Sequence, residues 1–303
     1  MTFNFVELLA AFGGGVFGAA IGALPAFIFT GFAVICAVPA ILAGSPFNLA
    51  STLAFGPFFG PHVSFAGGAA AAAYAARKGK LATGKDISSA IMGLNDPVAL
   101  LVGGIFGILG YLLVYVFNIS FPAGMTDNVA LTVFLSGIVA RLAFGQTGVF
   151  GKLDEEAQKR GRFKTGGASV WLPYQESLGQ LLTLGIGLSL VNSWIADAIV
   201  KTNPNFALAA TTLGFGISAA KLFLLQFNVK VPVTHHITLI SAVATVTSGS
   251  VLWGVVFGTA AALLVEGCSR LFYIHGDTHI DPPATGIWIM TLLVYLANIG
   301  GLF

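Results

Sequence analysis

An all-α integral membrane protein, a polytopic helical bundle of about nine to eleven membrane segments, is the fold class this sequence predicts. Three observations carry it. Hydrophobic residues make up 56% of the 303-residue chain and charged residues only 9%, against about 25% in soluble domains. The mean hydropathy is +0.89. Apolar runs long enough to span a bilayer recur from end to end, and no polar stretch exceeds about thirty residues, which is too short for a soluble domain.

Eleven segments follow from hydropathy and from the breakers between them: 5–23, 26–43, 46–60, 61–76, 97–117, 128–144, 178–199, 206–226, 234–249, 250–272 and 284–301. The breakers are Pro25, Ser45-Pro46, Gly60-Pro61, Asp96-Pro97, Pro204 and Asp281-Pro282-Pro283, because proline and turn residues interrupt helices. No Lys or Arg precedes the first run, so it lacks the basic region of a secretory signal and is expected to stay as a spanning helix. Gly14, Gly18 and Gly22 in that run, and Gly103 and Gly107 in the fifth, recur at every fourth position. Such stripes let helices touch closely, within the bundle or between subunits, and predict a homo-oligomer through glycine-rich faces.

The third and fourth segments have about fifteen residues each, roughly 22–24 Å of helix, against about 30 Å of hydrocarbon. Their junction reads FGPFFGPHVSF. Pro57 and Pro61 remove backbone donors, and broken backbone at membrane depth is tolerated only when packed in protein or lining a wet cavity. A re-entrant hairpin with His62 and Ser64 at its tip is therefore expected to line a substrate pathway. Its counterpart in the second half is ATVTSGS, 244–250, with Thr245, Thr247, Ser248 and Ser250 around Gly249. The bland alternative is that the hydroxyls bond local carbonyls and His62 only packs.

Cations set the orientation. Arg77, Lys78, Lys80 and Lys85 fall in one loop, and Lys152, Lys159, Arg160, Arg162 and Lys164 in another. Both should be cytoplasmic. Counting crossings from these two anchors, with 46–76 and 234–272 either re-entrant or fully spanning, puts the N-terminus inside and the C-terminus outside the plasma (cytoplasmic) membrane. Arg141 and Lys221 would snorkel at cytoplasmic helix ends. The segment LDEEAQKRGR reads as a short surface helix.

Internal matches run in the same order: ELLAAFGGGVFG with ESLGQLLTLGIG, TGFAVICAV with LGFGISAAK, GGAAAAAYAARKGK with FGTAAALLVEGCSR, and DPVA at 96–99 with DPPA at 281–284. They predict a parallel 5+1+5 duplication: repeat A over 1–117, a linking helix and cytoplasmic loop over 118–175, and repeat B over 176–303. A rival pairing of PHVSFAGGA with HHITLISAV breaks the match further on.

Of the titratable residues, Glu7 and Glu176 open matching helices, and Asp96 and Asp281 precede proline at helix starts. Capping is the expected role, with gating or proton coupling as the alternative, to which His235 and His236 also belong. The run HGDTHID places His275, Asp277, His279 and Asp281 on one side of an extended strand, a ligand set for a transition metal such as zinc if the loop is more than a solvated turn. No other cofactor is indicated. GGGVFG lies inside an apolar run without a Gly-Lys-Ser/Thr sequence, so ATP hydrolysis is unsupported. The near-neutral charge, +2, with its cations confined to loops, excludes nucleic acid as a partner. Cys36 and Cys268 form no framework.

GVFGAAIGALPAF, 15–27, resembles the glycine-rich opening of tripartite tricarboxylate transporter large subunits, with Ala26 where that family has glycine. The resemblance implies no residue roles here. The function expected from all of this is a permease moving a small polar or anionic solute or ion across the lipid bilayer. The alternatives are a passive channel, or a membrane scaffold docking a soluble partner.

Overall fold

The computed structural model describes residues 3–303. Among them there is no strand, and eleven α-helices follow one another: α1 Phe5–Ile21, α2 Ala23–Leu42, α3 Ser64–Arg77, α4 Pro97–Ser120, α5 Asn128–Phe144, α6 Glu155–Arg160, α7 Leu178–Thr202, α8 Ala207–Ala220, α9 His235–Ser248, α10 Val251–Cys268 and α11 Pro282–Ile299. Six are long and apolar enough to cross a membrane: α2, α4, α7, α11, and α8 and α10 when their flanking 3-10 or π turns are counted. α1 and α5 are shorter apolar helices.

Local sequence sets the helix ends. Asn4, Asp96, Asp127, Asp154, Ser177 and Asp281 each accept an amide of the first turn that follows, since those donors have no partner inside the helix. Gly22, at φ 97°, separates α1 from α2. Pro25 is not the break; it lies in the first turn of α2, where proline is tolerated. The expected surface helix is present as α6.

Segment 46–60 is not a helix. It holds one π turn, Ala50–Ala54, and a run of turns that leads directly into α3. Proline at 57 and 61 and glycine at 56 and 60 prevent a continuous ladder. Of the eleven expected segments, ten are helices and 46–60 is not, so the expected hairpin of two helices is a run of turns followed by α3 alone.

The helices pack in two like sets. In the first, α3 touches α1, α2, α4 and α5, and α1 packs along α4; in the second, α9 touches α7, α8, α10 and α11, and α7 packs along α10. The sets meet where α2 crosses α8 and where α5 lies on α11. α5 packs on α3 and α4 of the first set as well as on α11. α3 holds in the first set the place that α9 holds in the other.

The glycine stripes are used inside the chain. A Cβ at Gly14 would overlap the Pro57 carbonyl, at Gly18 the Ser64 carbonyl, at Gly15 that of Gly103, and at Gly107 that of Ala11. α1, α3 and α4 consequently touch backbone to backbone.

Phe3 packs on Tyr115 near the end of α4, and Phe303 packs on Trp253 at the start of α10. Both lie at one end of the bundle. At the other, basic end are the loops 78–96, 145–176, 228–234 and 274–281, cross-tied by Gly84 N to Asp277 O (3.1 Å), Lys152 N to His275 O (3.0 Å) and Gln175 Nε2 to Val233 O (2.9 Å).

Candidate functional site

A cavity of about 610 Å³ lies between the two sets. Its wall takes residues at like places in each. Pro61 and Phe65, at the start of α3, are matched by His235 and Leu239 of α9. Asp127, Ala130 and Val133, at the start of α5, are matched by Asp281, Ala284 and Ile287 of α11. Within each helix pair the sequence offset is constant. Thr211, Thr212 and Phe215 of α8 and Phe27 of α2 complete much of the remaining wall.

α5 and α11 run antiparallel. Thr126 Oγ1 donates to Trp288 O at 2.8 Å and Asp127 N to Thr291 Oγ1 at 2.8 Å, while Gly137 lies against Ile280. The two capping aspartates therefore stand at opposite ends of this pair, both on the cavity wall. Asp127 Oδ1 accepts the Ala130 amide at 2.8 Å. Asp281 Oδ2 accepts the Ala284 amide at 2.7 Å and its Oδ1 contacts His279 Nε2 at 3.0 Å.

Aromatic rings form the apolar part. Phe27 meets Phe65 (6.0 Å between centroids), Phe215 (5.7 Å) and His235 (4.7 Å). His235 is 6% exposed, and its Nδ1 has no hydrogen-bond partner. On the loop at the basic end, the Lys85 amine donates to Ile274 O at 3.3 Å and sits over the Tyr273 ring. Burial, assisted by Arg141 and opposed by Asp277, pulls this lysine down to about 8.

The residues expected to line a pathway divide. Pro61 is on the wall. Pro57, His62 and Ser64 are packed behind it: Pro57 O faces Gly14, His62 O faces Gly110, and Ser64 O faces Gly18. The broken backbone is packed against the glycines of α1 and α4. Thr30 Oγ1 donates to Phe59 O at 2.6 Å, and Phe58 stacks on Phe59 at 4.1 Å. The cluster Thr245, Thr247, Ser248 and Ser250 lies away from the cavity, in the turn from α9 to α10. Thr245 and Ser248 donate to carbonyls one turn back, at 2.8 and 2.6 Å, and Gly249 caps α9 at φ 67°.

The titratable candidates also divide. Asp96 caps α4 and pairs with Lys80 at 2.8 Å, a hydrogen bond that holds its carboxyl below the usual range. Glu7 accepts the Tyr111 hydroxyl at 3.2 Å, and Asn4 is the cap of α1. Ser177, not Glu176, caps α7; Glu176 Oε2 is buried without a partner. His236 is 1% exposed and lies behind His235.

The four candidate metal ligands do not converge. His275 contacts Arg162 O at 2.9 Å, and Asp277 accepts from Gln146 N (2.6 Å) and Thr147 Oγ1 (2.7 Å), leaving only His279 and Asp281 together. Among the described residues no three His, Cys, Asp or Glu side chains gather as a metal would need. Arg141 does not snorkel. It is 1% exposed and donates to Val149 O, Phe272 O and both oxygens of Thr278. Lys221 reaches the buried Thr234 hydroxyl instead of water.

Sequence reading missed Asp127 altogether. The available signal was DNVA at 127–130 beside DPPA at 281–284, for which DPVA at 96–99 is a closer string.

The model of one family of unknown function, DUF7973, matches residues 1–159 and also residues 151–303. The matches cover the chain, which belongs to that family. No curated protein and no solved structure matches it.

Proposed function

We propose that this member of DUF7973 is a membrane permease, a secondary transporter whose solute binds in the cavity between two five-helix halves of opposite orientation. The observation that carries the reading is the cavity wall, built from like positions on α3 and α9 and on α5 and α11. α1 to α5 take five passes and α7 to α11 another five, with α6 between them on the basic loop. An odd number of passes per half inverts the second relative to the first, the plan on which many transporters place a central site. The two family matches divide the chain at the same place. The parallel duplication with a linking helix gives way to this arrangement, with the halves meeting near α6.

With ten passes, the basic loops inside put both termini outside. Every Lys and Arg except Lys201 lies toward the basic end. At that end Arg141 and Asp277 tie 141–151 to 272–278. Such a closure favours a gated carrier over an open pore.

The test is counterflow in proteoliposomes with a panel of small amines, carboxylates and neutral amphiphiles. Saturable exchange stimulated by solute on the far side is expected for one class. Flux that stays linear in concentration for every solute would make the protein a channel, and no flux beyond empty vesicles would reject transport.

A further inference from the structure

Resting on that reading, we infer that the cavity is a site for a monovalent organic ammonium ion, an amine-bearing solute with an apolar or aromatic body. Size and lining agree with a small organic molecule: about 610 Å³ of space, within the range of roughly 300–1,000 Å³ for such pockets, which combine apolar walls with a few placed polar groups.

The sign of the charge follows from the wall. Asp86, Asp127 and Asp281 line it against a single cation, Lys85. Lys85 is committed to Ile274 O and the Tyr273 ring, and Asp86 to Ser88 N, Ser89 N and Ser89 Oγ. Arg141 and Lys221, the other cations near the cavity, are bound to carbonyl and hydroxyl oxygens outside the wall. Hydrogen bonds leave these charges in place, so the wall carries three carboxylates against one amine, and Asp127 and Asp281 belong to that excess. Charge interactions are poorly screened in an apolar enclosure. An anionic solute would be repelled there, and a cation drawn in.

His235 supplies an independent pointer. Its ring lines the cavity between Phe27 and Phe215 (5.8 Å), is nine-tenths buried, and has no hydrogen bond to a described residue at either nitrogen, the Nδ1 being fully occluded. A neutral imidazole offers one lone pair, which can accept an ammonium N–H. Buried polar side chains are normally satisfied, so an imidazole without a hydrogen bond on a cavity wall marks where a ligand donor belongs. Phe27, Phe65 and Phe215 add ring faces, which attract organic ammonium groups by cation–π interaction.

The experiment is calorimetric titration of the full chain in nanodiscs at pH 7, corrected against empty discs, with phenethylamine, phenylacetate and 2-phenylethanol. These share one aromatic body and differ in charge. Phenethylammonium should bind at least about tenfold more tightly than phenylacetate. Asp127→Asn and Asp281→Asn should each weaken it about tenfold, since asparagine caps a helix as well as aspartate does and only the charge is lost. Asp96→Asn, the same change at a cap outside the cavity, should leave binding unaltered. Phenylacetate binding as tightly as the amine, wild-type affinity in both cavity variants, or no binding of the amine would overturn the inference. Charge-selective binding without saturable vesicle flux of any probe would keep the ammonium site and remove the permease. Saturable flux of phenylacetate alone would do the reverse.

Discussion

Arg141 of α5 holds Thr278 by both of its oxygens, Nε to the hydroxyl at 3.0 Å and Nη2 to the carbonyl at 2.5 Å. The contact joins the end of α5 to the loop between α10 and α11, across the boundary between the two helix sets. A guanidinium at 1% exposure is sustained only because its donors meet oxygens in fixed directions.

Substitution at this position should be costly. Arg141→Met leaves three carbonyls short of a donor, and Arg141→Lys keeps the charge but not the fork. Each should lower stability by about 3 kcal/mol or more, read as a fall of several degrees in thermal unfolding in detergent. A lysine variant melting with the parent would show that charge alone suffices.

Glycine positions should separate sharply. A Cβ at Gly110 would run into the His62 carbonyl, which cannot withdraw without moving α3, whereas Gly13 has nothing within 4 Å. Gly110→Ala is expected to cost about 1–3 kcal/mol or prevent folding. Gly13→Ala should stabilise α1 by about 0.5–1 kcal/mol. Equal melting temperatures for the two would contradict the backbone packing described.

Lys85 gives a pH signature. Its pKa in the fold is lowered from 10.5 to about 8, by burial first and Arg141 second. The unfolded chain therefore binds this proton where the folded one has released it, and stability from this group rises with pH between those two values. Below about 8 the full cost of burying the charge is present. Lys85→Met should remove that rise, seen as a flatter plot of melting temperature against pH from 8 to 10.5. An unchanged slope would place the lysine in water.

Topology has its own measurement. Single cysteines at Asn4 and at Leu302, in a chain with Cys36 and Cys268 replaced, should both react with an impermeant maleimide from outside intact cells, and a cysteine at Lys159 should not. Labelling of the first pair from opposite sides would restore an odd number of passes.

Much of the architecture was open to sequence reading. Hydropathy marks all ten long helices to within a few residues, α5 to the residue, because a spanning helix needs only a long apolar run and a breaker at each end. Caps were legible at Asp96 and Asp281 for the same local reason. The site was not. His62 and the 244–250 hydroxyls are polar residues in apolar surroundings, which marks them as unusual but says nothing about which face of the bundle they occupy.

The sequence by itself determined what is local: which residues form helices, where these stop, and which loops carry the positive charge. Tertiary structure decided the rest. How the chain runs from 57 to 64 depends on Gly14, Gly110 and Gly18 admitting the carbonyls of Pro57, His62 and Ser64, contacts between residues far apart in the sequence. Asp127 and Asp281 reach the wall of the same cavity, from opposite ends of the α5–α11 pair, because those two helices touch, and no local pattern encodes which two helices will touch.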